Sequence, residues 1–192
     1  VYHRPVRLLL ASASPRRRDL MAAAGLTFDV ESVNVDEQRF DGELPEIYVD
    51  RLAQLKASVA AARHATRAVI GADTVVVLDG DVMGKPVDAA DSVRMLRRLG
   101  GRAHDVLTGL AVAWQGRMTS EVTRTRVWMN MLTEQDVANY VATGEPADKA
   151  GSYAIQGHGS RLISHIDGSF TNVVGLPVAA LLQLLRRAGV VS

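Results

Sequence analysis

Short apolar runs alternate along this chain with segments of helical periodicity. Arg7 to Ser12 (RLLLAS) predicts a brief buried strand. Ser14 before Pro15 marks a helix start, a hydroxyl cap followed by proline at the first helical position, and Gly25 marks the end. Phe28 to Val35 alternates and predicts a second strand. After Pro45, the spacing of Tyr48, Leu52, Leu55 and Val59 predicts a long helix to about His64, with Arg51 and Lys56 flanking its apolar face. Val69 to Leu78 (VIGADTVVVL) is the strongest apolar run and predicts a central strand. Gly71 within it signals a bulge or a close approach of backbone. Asp79-Gly80-Asp81 is a turn that folds Thr74–Leu78 back into a hairpin. A helix capped by Asp88 or Asp91 runs to Gly100-Gly101, with Val93, Leu96 and Leu99 inward. Arg102 to Gln115 and Ser120 to Met131 alternate as a long hairpin with one buried face. Thr133 to Asp136 opens a helix as a capping box, and Gly144 stops it. Ile155 to Ile166 predicts short strands around glycines. Pro177 heads a last helix with Leu181, Leu184 and Leu185 inward.

The alternation of strands and helices predicts an α/β protein. The 192 residues suit one large domain or two small lobes, and a single domain over 1–192 is the expectation. Hydrophobic residues make up 47 %, enough for a sizeable core. The formal net charge of +1 leaves no global basic field for long nucleic acid. With no cysteine there is no disulfide framework and no thiolate zinc site. Val1 to Arg7 lacks the apolar core of a signal peptide, and no stretch approaches the ~20 apolar residues of a membrane span. The expectation is a soluble intracellular protein with no membrane and no stable nucleic-acid partner.

The candidate chemistry begins at Asp73, a carboxylate inside an apolar run. Such a charge is costly unless it is paired or binds something. Three arginines, Arg16 to Arg18, occupy the first turn of the helix that Ser14 caps, where carboxylates normally sit. That turn reads either as a phosphate cradle, Ser14 to Arg17, or as a solvated basic surface. Glu37, beside Asp36, is a metal ligand or surface charge. Lys85 lies between Gly84 and Pro86 on a stiff loop, without the glycine spacing or following Ser/Thr of a Walker A motif. Lys56 is a further cation on its helix. His104 and Asp105 are adjacent on a strand and point to opposite faces, so they form no dyad. His158 and His165 read as lone structural or surface histidines. Several cations with two carboxylates suit a polyphosphate with a divalent metal, and the chemistry that fits is metal-assisted attack of water on a nucleotide phosphate.

Ala11-Ser12-Ala13-Ser14-Pro15-Arg16-Arg17, Gly71-Ala72-Asp73-Thr74-Val75-Val76, Gly84-Lys85-Pro86, Thr108-Gly109, Asp148 to Gly157 (DKAGSYAIQG) and Asn172 to Pro177 (NVVGLP) closely resemble the Maf family of nucleoside triphosphate pyrophosphatases. Lys149 to Gly157 (KAGSYAIQG) resembles the branch acting on dTTP and UTP. The resemblance implies an elongated, strongly curved mixed sheet flanked by helices, with two lobes and a central cleft, as in inosine triphosphatase-like enzymes. It implies cleavage of dTTP and UTP, with modified pyrimidine nucleotides as further candidates, to the nucleoside monophosphate and pyrophosphate. It also implies Mg2+ or Mn2+, a cytoplasmic location and a homodimer. Asp73 takes the family's catalytic-base position, and Arg16, Thr74 and Gln156 take positions linked to substrate choice. Ser12, Arg17, Glu37, Lys56 and Lys85 match other cleft positions, with Glu37 and Asp73 as metal ligands. The competing reading is a nucleotide-binding regulator of cell division without turnover.

Overall fold

The computed structural model describes residues 6–191. Its strands are β1 (Leu8–Leu10), β2 (Phe28–Val30), β3 (Ala68–Leu78), β4 (Asp81–Met83), β5 (Ala103–Trp114), β6 (Arg117–Met129) and β7 (Ile163–Asp167). Its helices are α1 (Pro15–Ala23), α2 (Pro45–Ala61), α3 (Ala89–Leu99), α4 (Glu134–Ala142), α5 (Phe170–Val174) and α6 (Val178–Arg187). The strands form one mixed sheet in the order β2-β1-β3-β5-β6-β7, with β4 paired to β3. No helix of the described residues is long and apolar enough to cross a membrane. The chain divides into two compact units. One holds the chain up to Asp73, Thr108–Thr123 and the chain from Gly175 on; the other holds Thr74–Leu107 and Arg124–Val174.

In the first unit β1 runs parallel to both β2 and β3, with Leu8 opposite Phe28 and Ala68. Parallel strands need crossover helices, and α1 and α2 supply them. Helices then cover both faces, which is why β1 and early β3 are continuously apolar. Leu8, Leu10, Ile70, Leu110 and Val112 pack with Met21 of α1 and Leu181, Leu184 and Leu185 of α6. Leu9, Val69 and Ala111 on the other face pack with Ala53, Ala57 and Ala60 of α2.

That second contact is made by backbone. A Cβ added at Gly71 would lie 2.1 Å from Ala53 O and 2.7 Å from Ala57 N, and one at Gly109 would lie 2.2 Å from Val49 O. The close approach expected at Gly71 is therefore present, without a bulge. The buried face of α2 is Val49, Leu52, Ala53, Lys56, Ala57 and Ala60. The expected face of Tyr48, Leu52, Leu55 and Val59 is corrected by about one residue: small alanines meet the glycines, and Lys56 is buried with them. Likewise β5 is buried on both faces from Val106 to Ala113, where one buried face was expected, because α2 lies against Gly109.

In the second unit Asp79 and Gly80 turn the expected hairpin with φ of 54° and 84°, and Leu78 pairs with Asp81. Asp88 caps α3, and Thr133 and Asp136 complete the capping box of α4. One expectation fails and another holds in part. The strand predicted through Val35 stops at Val30 in the first unit; of the stretch Ile155 to Ile166, the part from Ile163 forms β7 as expected, whereas Gly157–Leu162 forms 3₁₀ turns in place of strand. Helix α5 was not predicted. The core of this unit holds Val76, Leu78, Leu96, Leu99, Val127, Tyr140 and Tyr153. Within it His104, 2 % exposed, pairs through Nε2 with Tyr153 Oη at 2.6 Å, while Nδ1 has no hydrogen-bond partner among the described residues. Asp105 instead lies 3.7 Å from Arg126, in keeping with the rejected dyad. His165 stacks on Trp128 with ring centroids 4.1 Å apart.

Two tests follow from packing. Gly71→Ala forces a methyl into the α2 backbone and should cost about 1–3 kcal/mol, lowering Tm by roughly 3–10 °C. Gly84→Ala, where an added Cβ meets nothing within 4 Å, should barely move Tm. Equal shifts in thermal unfolding would contradict the close contact. Burial, with Arg126 adding to it, lowers the His104 pKa to about 4 from its ordinary 6.5. The unfolded chain therefore binds a proton that the folded one refuses between these values, so this contribution is complete above pH 6.5 and is lost as pH falls toward 4. It amounts to on the order of 3 kcal/mol. Urea unfolding from pH 7 to 4 should show a shallower acid loss for His104→Gln than for wild type; parallel curves would refute it.

Candidate active site

Ser12, Ser14, Arg16, Arg17, Glu37, Lys56 and Asp73 all lie in the first unit. Gly71 and Asp73 are two apart on β3 and share a face. Because Gly71 touches the α2 backbone, Asp73 meets the side chain of Lys56 on that helix. Lys56 Nζ donates to Asp73 Oδ1 at 2.7 Å and lies 2.7 Å from Glu37 Oε1. Lys56 and Asp73 are each 8 % exposed. A buried ammonium is costly unless paired, and here two carboxylates pair it.

Glu37 comes from an irregular segment that α2 side chains hold in shape. Tyr48 Oη donates to Glu37 O at 2.8 Å. Arg51 donates to Glu43 Oε1 and Oε2 at 2.6 and 2.8 Å and to Gln38 O at 3.0 Å, with its guanidinium 4.1 Å from the Phe40 ring centroid. Those bonds hold the Glu43 carboxyl down at about 2. Arg51, left open to a ligand by the sequence, is thus committed to the segment that carries Glu37. Burial raises the Tyr48 pKa, and the charges of Asp73 and Glu37 push it further up. Sequence reasoning placed Tyr48 on an apolar face and missed this role; its phenol about two helical turns before Lys56 on the same side of α2 was the available signal.

At α1, Ser14 is the cap and accepts from Arg17 N at 3.5 Å, as expected. Ser12 Oγ accepts from Ser14 N at 3.2 Å and from Arg17 Nη1 at 3.1 Å. Arg17 also donates from Nη1 to Ala72 O at 2.9 Å and from Nε to Gly175 O at 2.9 Å. Its guanidinium therefore joins α1 to the residue before Asp73 and to the glycine of the Asn172–Pro177 motif. Burial lowers the Arg17 pKa, opposed by the negative charge of Asp73.

Thr74, Lys85 and Gln156 lie in the second unit, whose boundary falls directly after Asp73. Gly151 N donates to Gly84 O at 3.0 Å and ties the Lys85 loop to the Lys149–Gly157 segment. Lys85 and Gln156 are exposed, and neither side chain forms a hydrogen bond or ion pair with the described residues. Among the described residues no three His, Cys, Asp or Glu side chains converge as a metal cage. Two carboxylates do converge on one cation-sized point, now held by the Lys56 ammonium.

The family described as Maf-like protein matches residues 7–188. The dTTP/UTP pyrophosphatase of Geobacter sulfurreducens is 49 % identical over 185 residues, covering 95 % of this chain and 97 % of its own length. That of Vibrio cholerae is 49 % identical over 182 residues, covering 94 % and 97 %. Among solved structures, the Ham1 protein of Staphylococcus aureus superposes with a TM-score of 0.52 at 16 % identity, covering 95 % of this chain and 99 % of that one. A HAM1 protein from Coxiella burnetii gives 0.52 at 13 %, with the same coverage. These structures share the fold. The family match across the α1 turn, the Lys56–Asp73 pair and the glycine-rich segment, with relatives near half identity along the whole length, shows that the chain belongs to the Maf family.

Proposed function

We propose that this chain hydrolyses nucleoside triphosphates, dTTP and UTP foremost, to the nucleoside monophosphate and pyrophosphate. The observation that carries the reading is the buried Lys56 ammonium held between Glu37 and Asp73 at 2.7 Å each, on the helix that Gly71 admits. The names of the full-length relatives support the same chemistry. In the reaction a water oxygen bonds to the α-phosphorus, the α–β anhydride bond breaks, and pyrophosphate leaves with the electron pair. Asp73 accepts the proton of the attacking water or holds the cation that acidifies it. A carboxylate is intrinsically a weak base at neutral pH, which favours the second role.

Glu37 and Asp73 would hold the cation. Their oxygens suit Mg2+ or Mn2+, which take one or two carboxylates and leave places for phosphate oxygens. When bound, such an ion neutralises phosphate charge and lowers the pKa of its water. Lys56 keeps the two carboxylates together. Arg16 and Lys85 neutralise the triphosphate and the departing pyrophosphate, and Arg17 adds charge while bracing the turn before Asp73. Ser12 and Ser14 shape that turn. Thr74 and Gln156 serve substrate choice, with the Gln156 amide reading the N3–H and O4 edge of thymine or uracil. The family resemblance also supports a homodimer and a cytoplasmic location.

A nucleotide panel with magnesium or manganese, scored for pyrophosphate against orthophosphate, tests the reading. Wild type should release pyrophosphate fastest from dTTP and UTP, and Asp73→Asn should lose roughly 10²-fold or more in rate while still binding nucleotide. Binding without product by the wild type would return the regulator reading. Full activity in Asp73→Asn would remove Asp73 from the chemistry.

A further inference from the structure

The exposed Gln156 amide can flip, since its two ends differ only in being donor or acceptor. An amide free to flip satisfies cytosine as well as uracil, so a preference for uracil and thymine requires a fixed frame around it. The frame is visible on both sides of Gln156. Before it, Ala154 N donates to Tyr140 Oη at 3.0 Å. After it, His158 N donates to Glu145 Oε2 at 2.9 Å and Gly159 N to Oε1 at 3.4 Å. Tyr140 Oη in turn donates to Glu145 Oε1 at 3.4 Å, so one phenol and one carboxylate grip both ends of the loop.

The glycines confirm how tightly the loop wraps these groups. Gly157 has φ +63° and would place a Cβ 3.0 Å from Glu145 Oε1. A Cβ on Gly159 would fall 2.2 Å from Ala154 O and 2.7 Å from Tyr140 Oη. Tyr140 is fully buried, and Lys149 Nζ donates to Glu145 O at 2.6 Å, so the clamp is itself anchored. Two successive N–H groups facing a carboxylate form an anion nest, filled here from within the chain. Those N–H groups are therefore occupied by Glu145 and do not serve a phosphate.

We propose that Tyr140 and Glu145 are positioning residues for base choice: they fix the Ala154–Gly159 backbone so that Gln156 and its neighbouring peptide groups present one donor–acceptor pattern, that of a 2,4-dioxopyrimidine. The proposal rests on the assignment of base readout to this loop. It separates holding the loop, done by Tyr140 and Glu145, from reading the base, left to Gln156.

The test uses the full chain as wild type, Tyr140→Phe, Glu145→Gln, Gln156→Ala and the double variant Glu145→Gln/Gln156→Ala. Amide hydrogen exchange in the free protein should speed up at His158 and Gly159 in Glu145→Gln and at Ala154 in Tyr140→Phe. The ratio of kcat/KM for UTP to that for CTP should fall about tenfold in each clamp variant, the scale of one hydrogen bond to a charged group. The double variant should lose no more of the ratio than Gln156→Ala alone, because the clamp acts through the loop. Unchanged exchange overturns the proposal. So does an unchanged UTP-to-CTP ratio in the clamp variants when Gln156→Ala lowers it, or an equal fall on every nucleotide with a lower Tm. If the clamp variants lower the ratio and Gln156→Ala does not, the clamp stands and the Gln156 assignment fails, with the readout moved to backbone groups. If none of them lowers it, both are refuted.

Discussion

The approach of the α2 backbone to Gly71 and Gly109 is the constraint from which the first unit's chemistry follows. With no side chain on either strand position, the helix packs through Val49, Ala53 and Ala57 directly onto the sheet. That rotation of α2 turns Lys56 inward, and an inward lysine must find anions. It finds Asp73 on the same strand face as Gly71, and Glu37 from the segment that Tyr48 and Arg51 hold. Hydrophobic side chains would fill the same space at less cost, so the pairing is weak evidence for stability and fits the role proposed for it.

The cationic residues divide by what they already bond. Arg17 gives three N–H bonds to Ser12, Ala72 and Gly175, and Arg51 is spent on Glu43 and Gln38. These arginines set shape, and the rigid guanidinium fork suits that use better than an ammonium. Lys85 lies on an exposed loop tied to Gly151 through the Gly84 carbonyl, and the proposed function gives it the triphosphate. The second unit repeats the pattern without arginine: His104 braces Tyr153, and Tyr140 with the Glu145 carboxylate braces the segment that carries Gln156.

Local chemistry was legible in the sequence wherever a single residue decides it. Ser14-Pro15 announced α1, Asp79-Gly80 announced the β3–β4 turn, Thr133 to Asp136 announced α4, and Gly71 announced a bulge or a close backbone approach, of which the second is present. Features set by a distant partner were not legible. The face of α2 was assigned from its largest apolar residues, whereas the glycines opposite it select its alanines and so bury Lys56. Alternation along β5 suggested one covered face, because nothing local says that α2, far earlier in the chain, covers the other. The glycine-rich stretch suggested strands, but its N–H groups turn toward Glu145 and Tyr140, a choice made by side chains far outside any window of periodicity. The geometry brings Asp73, Lys56 and Glu37 together as one cluster, and the roles proposed for them in turnover are tested by the reaction products.

Hydrolysis of UTP in 18O-water, followed by 31P NMR of the products, addresses those claims most directly. Attack at the α-phosphorus predicts the label wholly in the nucleoside monophosphate, with unlabelled pyrophosphate. Label in pyrophosphate, or orthophosphate as the first product, would contradict the account.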